Sequence, residues 1–126
     1  METALSKLTA YVIDDDSTFC MITKINVRRI NPDIEVREFG DAQSALNKLE
    51  EEQPSILFLD INMTGMNGWE FLNYFEEKPP YPIYLISSSI DPGDIHKAEE
   101  HPYIEAYLEK PLDLEKLKMA FSDLQQ

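Results

Sequence analysis

Residues 55–68 read Ser55-Ile56-Leu57-Phe58-Leu59-Asp60-Ile61-Asn62-Met63-Thr64-Gly65-Met66-Asn67-Gly68. A short run of large apolar residues stops at a single carboxylate, and a loop of small and polar residues follows. An apolar run of this length, bounded by turn residues, reads as a strand covered on both faces. The strand is placed at Ser55–Leu59, the loop at Asn62–Asn67, and a helix from about Gly68 to Glu77.

The same grammar repeats on either side. Leu8–Ile13 is a strand that ends in Asp14-Asp15-Asp16, and Ser17 is placed as the cap of a helix running to about Ile30, stopped by Asn31-Pro32. Ile34–Phe39 is a second strand, and Gly40-Asp41 opens a helix with Ala42, Ala45, Leu46 and Leu49 on one face. Pro79-Pro80-Tyr81-Pro82 leads into a strand at Ile83–Ile86, which ends in Ser87-Ser88-Ser89. Asp91-Pro92 gives a cap and a proline at the first helical position, and that helix runs to about Glu100. Ile104–Leu108 is the last strand, ending at Glu109-Lys110-Pro111, and Asp113 caps a helix carrying Leu114, Leu117, Phe121 and Leu124.

Regular alternation of strand and helix predicts an α/β fold, a (βα)5 doubly wound five-stranded parallel sheet with right-handed crossovers. Strands one, three and four are nearly all apolar, as central strands are, whereas strands two and five alternate polar with apolar residues. An order with strands one, three and four central and strands two and five at the rims is 2-1-3-4-5. With 126 residues and no linker or repeat, the chain reads as a single domain over 1–126, with a core of about 8–124 and no output domain.

Eleven Lys and Arg stand against 24 Asp and Glu, a formal charge of −13. That balance argues against nucleic acid, whose non-specific binding runs on basic contacts to phosphates, and against an anionic membrane surface. The 43% hydrophobic share is enough for a core. Cys20, the one cysteine, rules out an intrachain disulfide framework and reads as a small buried hydrophobe. The first residues show no secretory signal, and no apolar run reaches the roughly 20 residues of a membrane span. A cytoplasmic protein is the expectation.

In a parallel sheet, ligands bind beyond the carboxyl ends of the strands, where the winding reverses. Asp14, Asp15 and Asp16 follow strand one, Asp60 follows strand three, Ser87 strand four and Lys110 strand five. Converging carboxylates repel, and a hard divalent cation such as Mg²⁺ relieves that cost. Lys110 can meet a phosphoryl group as a point charge, and the Ser87 hydroxyl can hydrogen-bond it. Asp60, alone at the end of a central strand, is the candidate nucleophile, as in enzymes that form an aspartyl-phosphate.

These residues, in this order, resemble the receiver (CheY-like, flavodoxin-like) domain of two-component response regulators. Asp60 through Gly68 resembles that family's D-x-x-M-P-x-M-(D/N)-G stretch, Lys110-Pro111 its lysine–proline pair, and Tyr107 its switch aromatic. The likeness runs from about Leu8 to Leu124. It implies a single-domain response regulator in which Asp60 accepts a phosphoryl group from a phosphohistidine. Asp15 and Asp60 hold Mg²⁺ by their carboxylates, Asn62 by its backbone carbonyl, and Asp14 through water. Lys110 and Ser87 contact the phosphoryl group, Ser87 and Tyr107 switch, and the Lys110–Pro111 bond is cis. The implied partners are a sensor histidine kinase or histidine phosphotransfer protein and an unknown downstream protein in two-component or phosphorelay signalling. Phosphodonors dock on the first helix, about Ser17–Ile30, and on Pro111–Asp113. The chain is then a phosphoacceptor that catalyses only its own phosphorylation and dephosphorylation, and otherwise no enzyme.

The sequence departs from the family pattern at Thr64, where proline is usual, and the loop after Asp60 is expected to be less rigid there. Ser87 replaces the commoner threonine and keeps its hydroxyl. Two other readings compete. One is a receiver-like binding module that is not phosphorylated. The other is a haloacid-dehalogenase-type phosphatase, since Asp60-Ile-Asn-Met-Thr64 is one residue from Asp-x-Asp-x-Thr, but Asn62 replaces the required general acid. Asp16 is placed near the site without a role. His96 and His101 are read as solvated, and Trp69, Phe71, Leu72 and Phe75 as packing.

Overall fold

The computed structural model describes residues 8–89 and 91–124. The reading of the first residues for a signal peptide therefore lies outside the described residues. Element by element, the chain runs β1 (Thr9–Ile13), α1 (Ser17–Ile30), β2 (Glu35–Phe39), α2 (Ala42–Glu51), β3 (Ile56–Asp60), α3 (Gly68–Leu72), β4 (Ile83–Ser87), α4 (Pro92–Glu100), β5 (Ile104–Glu109) and α5 (Leu114–Leu124). The sheet is parallel, in the order β2-β1-β3-β4-β5. Every residue of β1, β3 and β4 is buried, while β2 and β5, at the rims, are only partly covered.

Strand side chains alternate between faces, so the sheet builds two cores. Ala10, Val12, Ile56, Phe58, Tyr84 and Ile86 meet Phe19, Cys20 and Val27 of α1 and Leu117, Ala120 and Phe121 of α5. On the other face Tyr11, Ile13, Leu57, Leu59, Ile83 and Leu85 meet Ala42, Ala45 and Leu46 of α2, Phe71 and Leu72 of α3, and Ala98 of α4. Cys20 is 1% exposed, and burial pushes its thiol up to about 12, consistent with an inert core residue.

Three local expectations are corrected. The cap of α1 is Asp16, not Ser17. Asp16 has extended backbone and its carboxylate accepts the Phe19 N–H at 3.1 Å, whereas Ser17 is already helical. The third helix ends at Leu72 rather than near Glu77. An Asn67–Glu70 capping box starts it, but Tyr74 and Phe75 then donate three residues back, to Phe71 and Leu72. Glu76 and Glu77 are unfavourable at a helix C-terminus, and Pro79-Pro80 cannot continue one. The Phe75 ring turns instead into an aromatic cluster with Phe71, Tyr81 and Tyr103. Finally, His101 is half-buried rather than solvated. Its Nδ1 accepts the Tyr103 N–H at 3.1 Å, and its ring lies against Trp69 and Tyr103. Burial and then the charge of Lys97 hold its pKa below the usual histidine value. His96 is exposed, beside Glu100, as expected.

Between β4 and β5 the register slips at Ile83/Tyr84, so that Glu105 is the extra residue of a bulge. Asp113 starts α5 as expected, accepting the Lys116 N–H at 2.9 Å.

Candidate functional site

The carboxyl ends of β1, β3, β4 and β5 bring Asp14, Asp15, Asp60, Ser87 and Lys110 to one edge of the sheet. Parallel pairing fixes the neighbours, since Ile13 lies opposite Leu59, Asp60 opposite Ile86, and Ser87 opposite Glu109. Asp14 is anchored by its N–H to the Phe39 carbonyl, 2.9 Å away on β2, and Lys110 by its N–H to the Ser87 carbonyl at 2.8 Å. The Lys110–Pro111 bond is cis.

Asp14 (1% exposed), Asp60 (4%) and Ser87 (1%) are buried, while Asp15 is exposed. Asp14, Asp15 and Asp60 each offer a carboxylate oxygen, all within 4.8 Å of one another. Asp14 Oδ1 also accepts the Asp16 N–H at 2.9 Å, a local turn that carries the chain from β1 into α1. Lys110 Nζ lies 2.5 Å from Asp14 Oδ2 and 3.7 Å from Asp60 Oδ2. The ammonium also sits 4.5 Å from the centre of the Phe19 ring, a cation–π contact that helps hold it over the pocket.

Asp60 is the perturbed group of the cluster. Burial, then the charge of Asp14, raise its carboxyl to about 6, against the opposing pull of Lys110 and of the Asn62 N–H, which donates to Oδ1 at 3.2 Å. Asp15 moves the other way. Its carboxyl is held below the usual range, chiefly by the Thr64 backbone N–H. Three carboxylates thus share one ammonium, which relieves their like charge only in part. This donor set, all hard oxygen, fits a divalent cation such as Mg²⁺.

Ser87 Oγ accepts the Ser89 N–H at 3.3 Å, and Tyr107 donates its hydroxyl to the Ser89 carbonyl at 2.9 Å. The end of β4 is therefore linked, through Ser89 in the loop that follows it, to the half-buried aromatic of β5.

Asp14, Asp15, Asp60, Ser87 and Lys110 are brought to this edge, and Asp16, expected near them without a role, caps α1. The sequence reading missed three contributors. Phe19 was legible only as an apolar residue. Gly68 N–H donates to the Ile61 carbonyl at 2.8 Å, and a Cβ there would stand 3.0 Å from the Asp60 carbonyl oxygen. Thr64, expected to loosen its loop, instead ties it down. Its N–H and its hydroxyl each donate to Asp15 Oδ2 at 3.1 Å, bonds that a proline could not make.

The family model of the response regulator receiver domain matches residues 10–122, and the chain belongs to that family. The fold is similar to a two-component response regulator from Cytophaga hutchinsonii, with a TM-score of 0.87 and 31% identity over 95% of this chain and 98% of that one. Among curated proteins it is similar to sensory transduction protein LytT of Bacillus subtilis, 25% identical over 88% of this chain and 45% of that protein. It is also similar to the cyclic di-GMP phosphodiesterase response regulator RpfG of Xanthomonas campestris pv. campestris, 30% identical over 94% of this chain and 32% of that protein. The chain spans less than half the length of these curated relatives. Among the described residues, no helix is long and apolar enough to cross a membrane.

Proposed function

We propose that the chain is a phosphorylation switch, in which Asp60 takes a phosphoryl group from a phosphohistidine of a sensor histidine kinase or histidine phosphotransfer protein. A carboxylate oxygen of Asp60 attacks the phosphorus, the P–N bond breaks, and the imidazole leaves with its electron pair. The observation that carries this reading is the convergence of Asp14, Asp15 and Asp60 with Lys110 at the edge of the sheet. Asp15 and Asp60 would hold Mg²⁺ through carboxylates and Asn62 through its backbone carbonyl, with Asp14 acting through water. When bound, the cation supplies positive charge to the phosphoryl oxygens.

Lys110 would leave Asp14 for a phosphoryl oxygen, and Ser87 would donate its hydroxyl to another. Drawing Ser87 toward the phosphoryl group moves the strand end whose Ser89 carbonyl holds Tyr107, and so changes the face of α4, β5 and α5. A downstream protein reads that face. Phosphodonor docking on α1 and Pro111–Asp113 is supported by exposed Met21 (53%), Ile22 and Ile25 on that helix. The charge of −13 speaks against DNA as the target, and a cytoplasmic location fits a phosphohistidine donor. The chain acts on no substrate but its own Asp60.

Intact mass after incubation with acetyl phosphate or a phosphorylated phosphotransfer protein tests this. A Mg²⁺-dependent gain of about 80 Da, absent in Asp60→Asn, is expected. Acid-labile phosphate on Asp60→Asn would sink the nucleophile assignment. No gain from either donor would favour the unphosphorylated binding module.

A further inference from the structure

We propose that Thr64 is a positioning residue that pre-orients Asp15 for the cation. The inference rests on the reading of Asp15 as a Mg²⁺ ligand. Asp15 is exposed at the end of β1, where a lone carboxylate would turn freely about its side-chain bonds. Instead one of its oxygens accepts two hydrogen bonds from a single residue, the Thr64 N–H at 3.1 Å and the Thr64 hydroxyl at 3.1 Å. The partner lies 49 residues further along the chain, in the loop after β3, so the same contact also ties the β1 end to the β3 end. Gly65, with φ +88°, turns the chain immediately afterwards, a conformation that favours glycine.

Two donors converging on one oxygen leave the other oxygen of the carboxylate outside the grip. Ordering a ligand before the cation arrives removes an entropic cost from binding, and partners that orient metal ligands typically contribute 10–100-fold to affinity. Thr64 is therefore more than a substitute for the proline that the family pattern has here. It exchanges a stiff backbone for a directed contact.

Isothermal titration of Mg²⁺ into the full chain tests this, with Asp15→Asn as the reference for a lost ligand. Thr64→Ser keeps both donors and should bind as the parent does. Thr64→Val keeps only the N–H and should bind several-fold more weakly. Thr64→Pro lacks both donors and should fall by about 10-fold or more. Urea unfolding of each metal-free variant separates loss of affinity from loss of fold, and the Val and Ser pair decides the matter if the proline variant unfolds. If Asp15→Asn loses Mg²⁺ while Thr64→Val and Thr64→Pro bind as well as the parent or better, this inference is overturned and the metal site stands. If the parent itself does not bind Mg²⁺, the metal-site reading falls, and this inference with it.

Discussion

The ammonium of Lys110 rests on Asp14, with Nζ 2.5 Å from Oδ2, and Asp14 has no exposed side-chain surface. Removing one partner of a buried ion pair leaves an uncompensated charge. Lys110→Ala should therefore destabilise the metal-free protein by about 3 kcal/mol, beside abolishing efficient phosphoryl acceptance. Adding Mg²⁺ should recover part of that stability. Urea midpoints with and without the cation check it, and an unchanged midpoint would mean the pair contributes nothing.

The pH dependence of the metal-free protein follows from Asp60. Its folded carboxyl, at about 6, lies above the value of about 3.9 expected unfolded. Between those two values the folded chain binds more protons than the unfolded one, so the Asp60 contribution to stability is lost as pH rises through the window. Asp60→Asn should consequently be more stable than the parent near pH 7 by about 3 kcal/mol, with the difference vanishing near pH 4. Thermal unfolding in chelator across this range measures it. Mg²⁺ should stabilise the parent and have much less effect on the variant.

Asp16 offers a control within the same acidic run. Because its carboxylate caps α1 through the Phe19 N–H, Asp16→Ala should cost about 1 kcal/mol in stability and leave Mg²⁺ affinity unchanged. A large loss of Mg²⁺ binding would place Asp16 in the metal site instead.

Gly68 is a steric prediction. A methyl group there meets the Asp60 carbonyl oxygen and Ile61 Cα at 3.0 Å, both backbone atoms that cannot rotate aside. Gly68→Ala should destabilise the fold by about 1–3 kcal/mol and slow phosphorylation by displacing the strand end that carries Asp60. A variant with normal stability and normal phosphorylation would show that the loop yields without disturbing the site.

Much of the architecture is legible in the sequence because it is encoded by local apolar texture. Ile-Leu-Phe-Leu in β3 and Tyr-Leu-Ile in β4 have no polar face, and the mixed residues of β5 mark it as a rim strand. The candidate site is legible for a related reason, since its carboxylates, Ser87 and Lys110 each sit where an apolar run breaks. What escapes is set by contacts between distant segments. The Thr64–Asp15 contact joins two loops, and the burial of His101 depends on Trp69 from another helix. The early end of α3 depends on where the Phe75 ring finds partners, Tyr81 and Tyr103. The choice of Asp16 over Ser17 as a cap turns on a single backbone torsion, which neighbouring residues of equal capping aptitude do not reveal.

The order of the strands also sets how far news must travel. Asp60 ends β3, and the outer rim at β5 is two strands away, about 10 Å at the usual interstrand spacing. That is comparable to the range over which salt water screens a charge, about 8–10 Å. On the reading proposed above, a phosphoryl group on Asp60 is electrically within earshot of the surface it is meant to alter. The message crosses one intervening strand and needs no long mechanical relay through the interior.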